Sequence, residues 1–293
     1  MPELPEVETI VRDLRPALVG RRVVGVETDW PKYFLFPKTA AAFKRRVIGR
    51  TITAIDRRGK RIVIHLDADR LLVIHQKISG RLLVGNWKRA AAARPGGGRR
   101  IVWRPMSANG GRYVHLVFDL DDGRQLALSD LRKFATVLCG EAAVILNRPE
   151  IRTLGPEPLS AQLTFARFTQ LFARRRGGIK ALLMNPTFIA GIGNIYSDEI
   201  LYVAGLHPLS RVERFEERQL KALYRSIRSV LRLAIRLRGT GVDAPPLPAA
   251  QAMGYDRVRL VYHRTTCPRG HPLTRIKVGG RSAHFCATEQ ELM

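Results

Sequence analysis

Residues 154–159, with the sequence LGPEPL, place the strongest constraint on how this chain can fold. A glycine and two prolines in so short a stretch exclude a regular helix or strand, because proline fixes φ and has no backbone N–H. We therefore predict a linker over residues 146–160. It separates a domain at residues 1–145 from one at residues 161–242, and a last module follows at residues 243–293.

The first half of the chain is rich in short β-branched segments bounded by Gly, Asp or Arg, a pattern typical of strands. They cover residues 23–26, 51–55, 61–66, 71–74, 113–120 and 125–128. Residues 88–112 are rich in Arg, Ala and Gly and are predicted to form a long flexible loop. The first domain is therefore expected to be a two-layer β-sandwich with an N-terminal helix at one edge.

The second half has helical spacing of its apolar residues. The predicted helices cover residues 165–175, 180–184, 195–204 and 215–237. Three prolines within residues 239–250 end the helical part, and the C-terminal residues are predicted to form a β-hairpin module. The fold class is thus α+β and multidomain.

The charge of the chain indicates its class of partner. Lys and Arg number 50 against 25 Asp and Glu, which gives a net charge of +25. Such an excess implies a polyanion, with nucleic acid first, although ribosomal RNA or a membrane surface would satisfy the charge equally well. A hydrophobic content of 45% excludes a disordered polycation.

Location is predicted from cysteine content and hydropathy. Three cysteines cannot form a disulfide framework, which fits a reducing compartment. The N-terminus has no signal-peptide pattern, and no apolar run approaches the roughly 18 residues of a membrane span. We predict a soluble, cytoplasmic protein without a membrane partner.

The N-terminal string MPELPEVE carries distinctive chemistry. Removal of Met1 would leave Pro2 as a secondary amine that can form an iminium with a sugar carbon, and the iminium promotes elimination. An α-amine titrates at a pKa of about 8, far below the value of about 10.4 for lysine. Glu3 could serve as general acid or base. The alternative is that these residues only begin an amphipathic helix.

A second motif, IAGIGNIY, covers residues 189–196. Its glycines allow a tight turn, and Asn194 is a suitable N-cap for the following helix. Exposed N–H groups at such a helix start can bind phosphate. Taken alone, the motif is also compatible with a plain helix–turn–helix connection.

These strings together resemble the formamidopyrimidine-DNA glycosylase and endonuclease VIII family, along nearly the whole chain. The resemblance implies a helix–two-turn–helix domain and a monomeric, bacterial, nucleoid-associated enzyme of base excision repair. Its partner would be double-stranded DNA that contains oxidised bases or abasic sites. By this resemblance Pro2 attacks C1′ of an oxidised purine nucleotide, Glu3 protonates the opening sugar, and β,δ-elimination cuts the strand. The enzyme would be a DNA glycosylase and an apurinic/apyrimidinic lyase.

The resemblance also assigns roles to other residues of this chain. Glu6 would line the catalytic pocket with Lys60, which would hold a phosphate near the reacting sugar. Residues implied to contact phosphates are Lys180, Asn194 and Arg281. Residues implied to fill the gap left by the extruded base are Ile78, Arg132 and Phe134. The family usually has Met where this chain has Ile78. Without the resemblance, Ile78 and Phe134 would be expected in the core.

The chain departs from the family pattern at its C-terminus. The family typically has a four-cysteine zinc finger, whereas only Cys267 and Cys286 stand at those positions here. His271 and Glu289 could complete a Cys/His/Cys/Glu zinc set. The alternative is a metal-free hairpin held by packing, with no cofactor.

Residues 240–253 also differ from the lesion-recognition loop usual in the family. Two other functions therefore remain open. One is an endonuclease VIII-like glycosylase for oxidised pyrimidines, and the other is a non-catalytic damaged-DNA-binding protein.

Overall fold

The computed structural model describes residues 1–93, 99–106, 111–240 and 254–293, and these residues form two compact units. The first unit contains residues 1–2 and most of residues 7–152. The second contains residues 3–6 and the described residues from Thr153 onward. The boundary between Arg152 and Thr153 lies inside the predicted linker, and the other domain limits stay predictions. Among the described residues, no helix combines the length and the apolarity that crossing a bilayer requires.

Helix α1, Leu4–Leu18, belongs to both units. Its residues Val7, Ile10, Val11 and Leu14 recur at helical spacing and are buried in the core of the first unit. Leu4, at the start of the helix, is instead part of the core of the second unit. The first turn and the rest of this helix therefore depend on different cores.

Two sheets, in which most neighbouring strands are antiparallel, form the first unit. Their strands are β1 Val23–Thr28, β2 Phe34–Phe36, β3 Ile52–Arg58, β4 Arg61–Leu66, β5 Arg70–His75, β6 Gly80–Gly85, β9 Val114–Leu120, β10 Gln125–Asp130 and β11 Thr136–Glu141. The four-stranded sheet has the order β1-β9-β10-β6, and the five-stranded sheet has the order β2-β11-β5-β4-β3. The buried side chains of the two sheets form one shared core, which confirms the predicted sandwich. Three short helices accompany them, α2 Ala40–Val47, α3 Ala142–Leu146 and α4 Pro149–Arg152.

The prediction of a flexible loop at residues 88–112 is wrong for the part that the structure describes. Strands β7, Trp87–Ala93, and β8, Arg99–Pro105, pair as an antiparallel hairpin. Trp87 and Trp103 are buried in a cluster with Val114 and Val117 of β9. The two large rings supply the apolar area that the alanines and arginines lack, and the biased composition concealed this from the sequence pattern. Residues 94–98 and 107–110 lie outside the described residues.

The LGPEPL segment has no helix or strand, as predicted, but it is packed against the second unit's own backbone. The Gly155 N–H donates to the Pro186 carbonyl at 2.9 Å. A Cβ at Gly155 would lie 2.5 Å from the carbonyl carbon of Phe188. Only glycine fits this close approach.

The second unit is helical and ends in a hairpin, as predicted. Its elements are α5 Phe165–Phe172, α6 Ile179–Met184, α7 Asn194–Val203, α8 Glu217–Arg236, α9 Tyr255–Val258, β12 Thr274–Val278 and β13 Arg281–Phe285. Helices α5 to α8 share one apolar core, to which α9 adds Tyr255. The predicted loop at residues 240–253 lies outside the described residues except for Thr240.

Candidate active site and nucleic-acid interface

The carboxylate of Glu3 binds the start of helix α7. One oxygen accepts the Gly193 N–H at 2.6 Å and the other accepts the Ile195 N–H at 2.9 Å. The Leu4 N–H donates to the Gly191 carbonyl at 3.0 Å. The first N–H groups of a helix have no partner within the helix, and the dipole there favours a negative charge. Glu3 therefore caps α7 from 190 positions away in the sequence.

This arrangement corrects the prediction that Asn194 is the N-cap. Gly193 occupies the N-cap position and Asn194 is the first residue of the helix. No side chain of the motif itself caps the helix, because Glu3 takes that role. The side-chain oxygen of half-buried Asn194 has no hydrogen-bond partner.

Pro2 is buried and is fixed through the two carboxylates that follow it. The backbone N–H of Glu3 donates to Glu6 at 2.8 Å. The other oxygen of Glu6 accepts the Tyr196 hydroxyl at 2.5 Å and the Thr240 N–H at 2.9 Å. Pro2, which bears the predicted nucleophile, is therefore bonded to a residue, Glu3, whose backbone N–H and side-chain carboxylate are both hydrogen-bonded. Tyr196 and Thr240 were not predicted as site residues.

Glu6 is almost completely buried, and its surroundings are matched to a carboxyl group. Burial raises its pKa, the charge of Glu3 raises it further, and the bonds from Tyr196 and Thr240 only partly offset this. A Cβ on Gly239, whose φ is +75°, would lie 2.5 Å from a Glu6 oxygen. Glycine at this position is therefore required both by the backbone conformation and by the approach of Glu6.

The structure does not support the predicted phosphate contact of Lys180. Its side chain has 0% exposure and its Nζ pairs with Asp198 at 2.5 Å. Nζ also donates to the Ser197 hydroxyl at 3.1 Å. A side chain enclosed in this way has no surface from which to reach a phosphate. Lys180 instead neutralises a buried carboxylate on α7.

Asp198 extends this contact to the C-terminal hairpin. Its second oxygen accepts the His284 N–H at 2.9 Å and lies 3.1 Å from His284 Nδ1. Two glycines with positive φ, Gly279 and Gly280, close the hairpin in a two-residue turn. Arg281 follows this turn and is exposed. Asp198 therefore fixes the hairpin that presents Arg281.

The three predicted gap-filling residues lie on two loops of the first unit, residues 76–79 and 131–135, which are joined to each other. The Ser79 hydroxyl donates to the buried Asp130 at 2.5 Å, and the Arg132 N–H donates to Ser79 at 3.0 Å. The loops present Ile78, 40% exposed, and Phe134, 49% exposed, which is inconsistent with core positions for either. The Arg132 guanidinium lies 4.9 Å from the centre of the Phe134 ring. Leu131, 59% exposed, lies beside them and was not predicted.

Lys60 lies in the turn between β3 and β4, close to other cations. Arg57 donates to the Gly59 carbonyl at 2.9 Å and to Glu8 of helix α1 at 3.1 Å, which fixes this turn. Burial, followed by the charges of Arg61, Lys77 and Lys60, lowers the pKa of His75 to about 3. His75 Nδ1 accepts the Lys77 N–H at 3.0 Å. The neutral imidazole thus shapes the loop that carries Ile78.

Three of the four predicted metal ligands lie together. The donor atoms of Cys267, His271 and Cys286 all lie within 4.8 Å of one another. Burial raises the pKa of the Cys267 thiol, but hydrogen bonds from the Arg269 and His271 backbone and from the Tyr202 and Cys286 side chains outweigh it and lower the pKa to about 7, which favours a thiolate. Glu289 is outside this group, but its carboxylate lies 3.3 Å from His271 Nδ1. Two thiols and an imidazole at this spacing form a donor set that suits zinc.

Comparisons with known proteins show the family to which this chain belongs. Residues 1–137 match the model of the formamidopyrimidine-DNA glycosylase N-terminal domain, and residues 154–245 match that of its H2TH domain. The formamidopyrimidine-DNA glycosylases of Chloroflexus aurantiacus and Pelotomaculum thermopropionicum are 37% and 35% identical to this chain. The alignments cover all of this chain and 99% and 100% of those proteins. The chain belongs to the formamidopyrimidine-DNA glycosylase family.

Solved structures of the family have the same fold. The Lactococcus lactis Fpg in complex with an abasic-site-containing DNA matches with a TM-score of 0.83 and 29% identity, over 99% of both chains. The same species' Fpg with a Fapy-dG-containing DNA matches with a TM-score of 0.83 and 28% identity, over 99% of this chain and 100% of that one.

Replacement of Lys180 tests its buried role. Lys180→Met leaves a carboxylate oxygen of Asp198 buried without its cation, so we expect the free energy of unfolding to fall by about 3 kcal/mol. Asp198→Asn should recover part of this loss in the double variant, measured as a double-mutant cycle in urea. Unchanged stability with weaker DNA binding would instead support a phosphate contact.

The neutral state of His75 predicts a pH dependence. Its pKa is about 3 in the folded protein and near 6.5 unfolded, so the unfolded state binds more protons between these values. The stabilisation is complete above pH 6.5 and is lost as the pH falls towards 3. His75→Asn keeps an acceptor for the Lys77 N–H without this titration. We expect the loss of unfolding free energy from pH 7 to pH 5 to shrink by roughly 1 kcal/mol in urea unfolding. An equal loss in both proteins would contradict the assignment.

Proposed function

We propose that this protein is a bifunctional DNA glycosylase and apurinic/apyrimidinic lyase that removes oxidised purines from double-stranded DNA. One observation carries the proposal. Glu3, next to Pro2, is held by two backbone N–H groups of the α7 N-terminus, and its own N–H is held by Glu6. The names of the relatives and the DNA in the related complexes support the same class of reaction.

The reaction begins at the amine of Pro2 after removal of Met1. The nitrogen attacks C1′ of the damaged nucleotide, and the bond from C1′ to the base breaks with the electron pair leaving on the base. Glu3 accepts the proton that the Pro2 nitrogen loses after the attack and delivers it to the sugar ring oxygen, so the C1′–O4′ bond opens and a C1′ iminium remains. Loss of a C2′ proton then expels the 3′ phosphate, and a second elimination expels the 5′ phosphate. Water finally releases Pro2 from the sugar remnant.

Other residues of the chain bind and deform the DNA. Ile78, Arg132 and Phe134, exposed on two joined loops, fill the space of the extruded nucleotide, and Leu131 adds apolar surface. Lys60, Asn194 and Arg281 contact phosphates, where Lys and Arg supply charge and Asn supplies an amide N–H. Glu6 and Lys180 are positioning residues, because both are buried and bind other groups of the protein.

Borohydride trapping tests the nucleophile. Mass spectrometry first verifies the loss of Met1, and the protein is then incubated with a duplex that contains 8-oxoguanine or an abasic site. We expect a covalent adduct on both duplexes and its loss in Pro2→Gly. Glu3→Gln should keep the adduct on abasic DNA, since the amine remains, while base removal slows by about 100-fold or more.

Three outcomes would count against this proposal. Wild-type rates in Pro2→Gly would exclude a requirement for the secondary amine of proline, since glycine at this position carries only a primary α-amine. Tight binding without an adduct on either duplex would favour a non-catalytic DNA-binding protein. Excision of oxidised pyrimidines in preference to 8-oxoguanine would favour the endonuclease VIII-like function.

The C-terminal cluster is proposed to hold one zinc ion. Cys267, His271 and Cys286 would provide three ligands, and Glu289, whose carboxylate lies 3.3 Å from His271 Nδ1, would provide the fourth. Zinc would supply structural stability to the hairpin and takes no part in the reaction.

Metal analysis decides between zinc and a metal-free hairpin. We expect about one zinc per chain, its loss in Cys267→Ser, and a lower unfolding temperature with a chelator. Cys139→Ser, a buried cysteine of the first unit, is the matched control and should retain the metal. A protein that stays metal-free after refolding with zinc and has the same unfolding temperature would show that packing alone holds the hairpin.

A further inference from the structure

Helix α8 has one face in the core of the second unit and one face in solvent. Over its 20 residues the buried apolar side chains are Leu220, Leu223, Ile227, Val230, Leu231 and Ala234. They share a core with Tyr196, Ile200 and Leu201 of helix α7. The buried face of α8 is therefore directed towards α7, whose N-terminus Glu3 holds.

The opposite face of α8 is basic from end to end. Its exposed residues include Arg218, Lys221, Arg225, Arg232 and Arg236, here called the α8 stripe. At 100° per residue these five positions fall within about 60° of arc, opposite the buried residues. At 1.5 Å per residue the stripe is about 27 Å long. It lies on the side of α8 that points away from α7.

The arginines of the stripe have no acidic partners in the part of the chain that the structure describes. Lys221 pairs with Glu217 at 3.3 Å, but no described carboxylate lies within 4.0 Å of the four arginines. Elsewhere, the half-buried Arg50 and Arg124 and the exposed Arg211 pair with Asp67, Asp122 and Glu213. A row of uncompensated guanidinium groups repels itself unless an anion binds it.

We propose that the α8 stripe binds the backbone of a second DNA duplex while the first occupies the active site. This inference rests on the proposed function. An arginine guanidinium group can bind two phosphate oxygens at once. The length of the stripe corresponds to about eight base pairs of duplex DNA. The exposed side chains of α8 are charged or polar apart from Leu233, which is 36% exposed. This face of the helix therefore lacks the apolar anchors typical of a protein interface. A second duplex would allow direct transfer of the enzyme between DNA segments.

The test compares two triple variants of the full-length protein. Arg218→Gln/Arg225→Gln/Arg232→Gln removes three charges from the stripe. Arg50→Gln/Arg124→Gln/Arg211→Gln removes three charges that carboxylates already balance. Dissociation from a labelled undamaged duplex is followed with rising concentrations of unlabelled duplex at constant salt. Direct transfer makes the dissociation rate rise with competitor, whereas simple release does not.

We expect the rate to rise with competitor for the wild type and the control variant, and to stay flat for the stripe variant. In a second assay, a complex of the protein with one duplex is fixed to beads, and its capture of a second duplex is measured. We expect this capture to fall about tenfold or more in the stripe variant, and the slope of log affinity against log salt concentration for the second duplex to be smaller by about 2.7. Equal competitor dependence in all three proteins would overturn the proposal, and so would loss of capture in the control variant.

A second readout separates this proposal from the proposed function. Single-turnover cleavage of a short lesion-containing duplex requires only the first DNA site and should be retained in the stripe variant. A parallel loss of cleavage would show that the stripe belongs to the first site and would overturn the inference. A wild type that never cleaves, yet transfers between duplexes through the stripe, would refute the proposed activity alone.

Discussion

The contact of the Glu3 carboxylate with the N-terminus of α7 is the interaction on which the candidate site depends. A buried carboxylate is costly unless donors satisfy it, and the start of a helix offers N–H groups that have no other partner. Gly193 and Ile195 provide two of them at 2.6 and 2.9 Å. Because these donors belong to the same unit as Glu3, the carboxylate is fixed by the folding of that unit. An N-terminal tail that would otherwise fray is thereby fixed.

Helix α7 uses its own carboxylates in the same way. Asp198 joins Lys180 to His284 of the hairpin. Glu199 accepts three consecutive backbone N–H groups, those of residues 260–262, at 2.8 to 3.0 Å. Burial raises the pKa of Glu199, and the backbone bonds only partly counteract this. Buried charges of this kind favour one arrangement over others, because a displaced carboxylate would lose every partner.

Local patterns were sufficient for much of the fold. The helical spacing of Val7, Ile10, Val11 and Leu14 and the alternation of Ile62, Ile64 and Leu66 predict elements that the structure contains, because each pattern reflects a geometry of neighbouring residues. The hairpin at residues 87–105 failed this test. Its strands gain their stability because their own Trp87 and Trp103 pack with Val114 and Val117 of β9, and the residues between the two tryptophans carry no alternating pattern.

The candidate site was predictable in its residue types and not in its contacts. Nothing near Glu3 in the sequence indicates that its partner is Gly193, since the cap is formed across 190 positions. The same holds for Lys180, whose type suggests a surface cation but whose neighbour in space, Asp198, makes it part of the core. A basic residue's role therefore depends on whether a carboxylate faces it, which only the folded chain determines.

Asp130 shows how the first unit keeps apolar side chains in solvent. Exposure of Ile78, Leu131 and Phe134 costs free energy that a chain without a ligand does not recover. Asp130, with 0% exposure, accepts the Ser79 hydroxyl and the Ala135 N–H, so the two loops are held by hydrogen bonds rather than by their own packing. Burying these side chains in the unbound protein would require these bonds to break. The two loops are thus held by the fold of the first unit, and the entropy of ordering them is lost on folding.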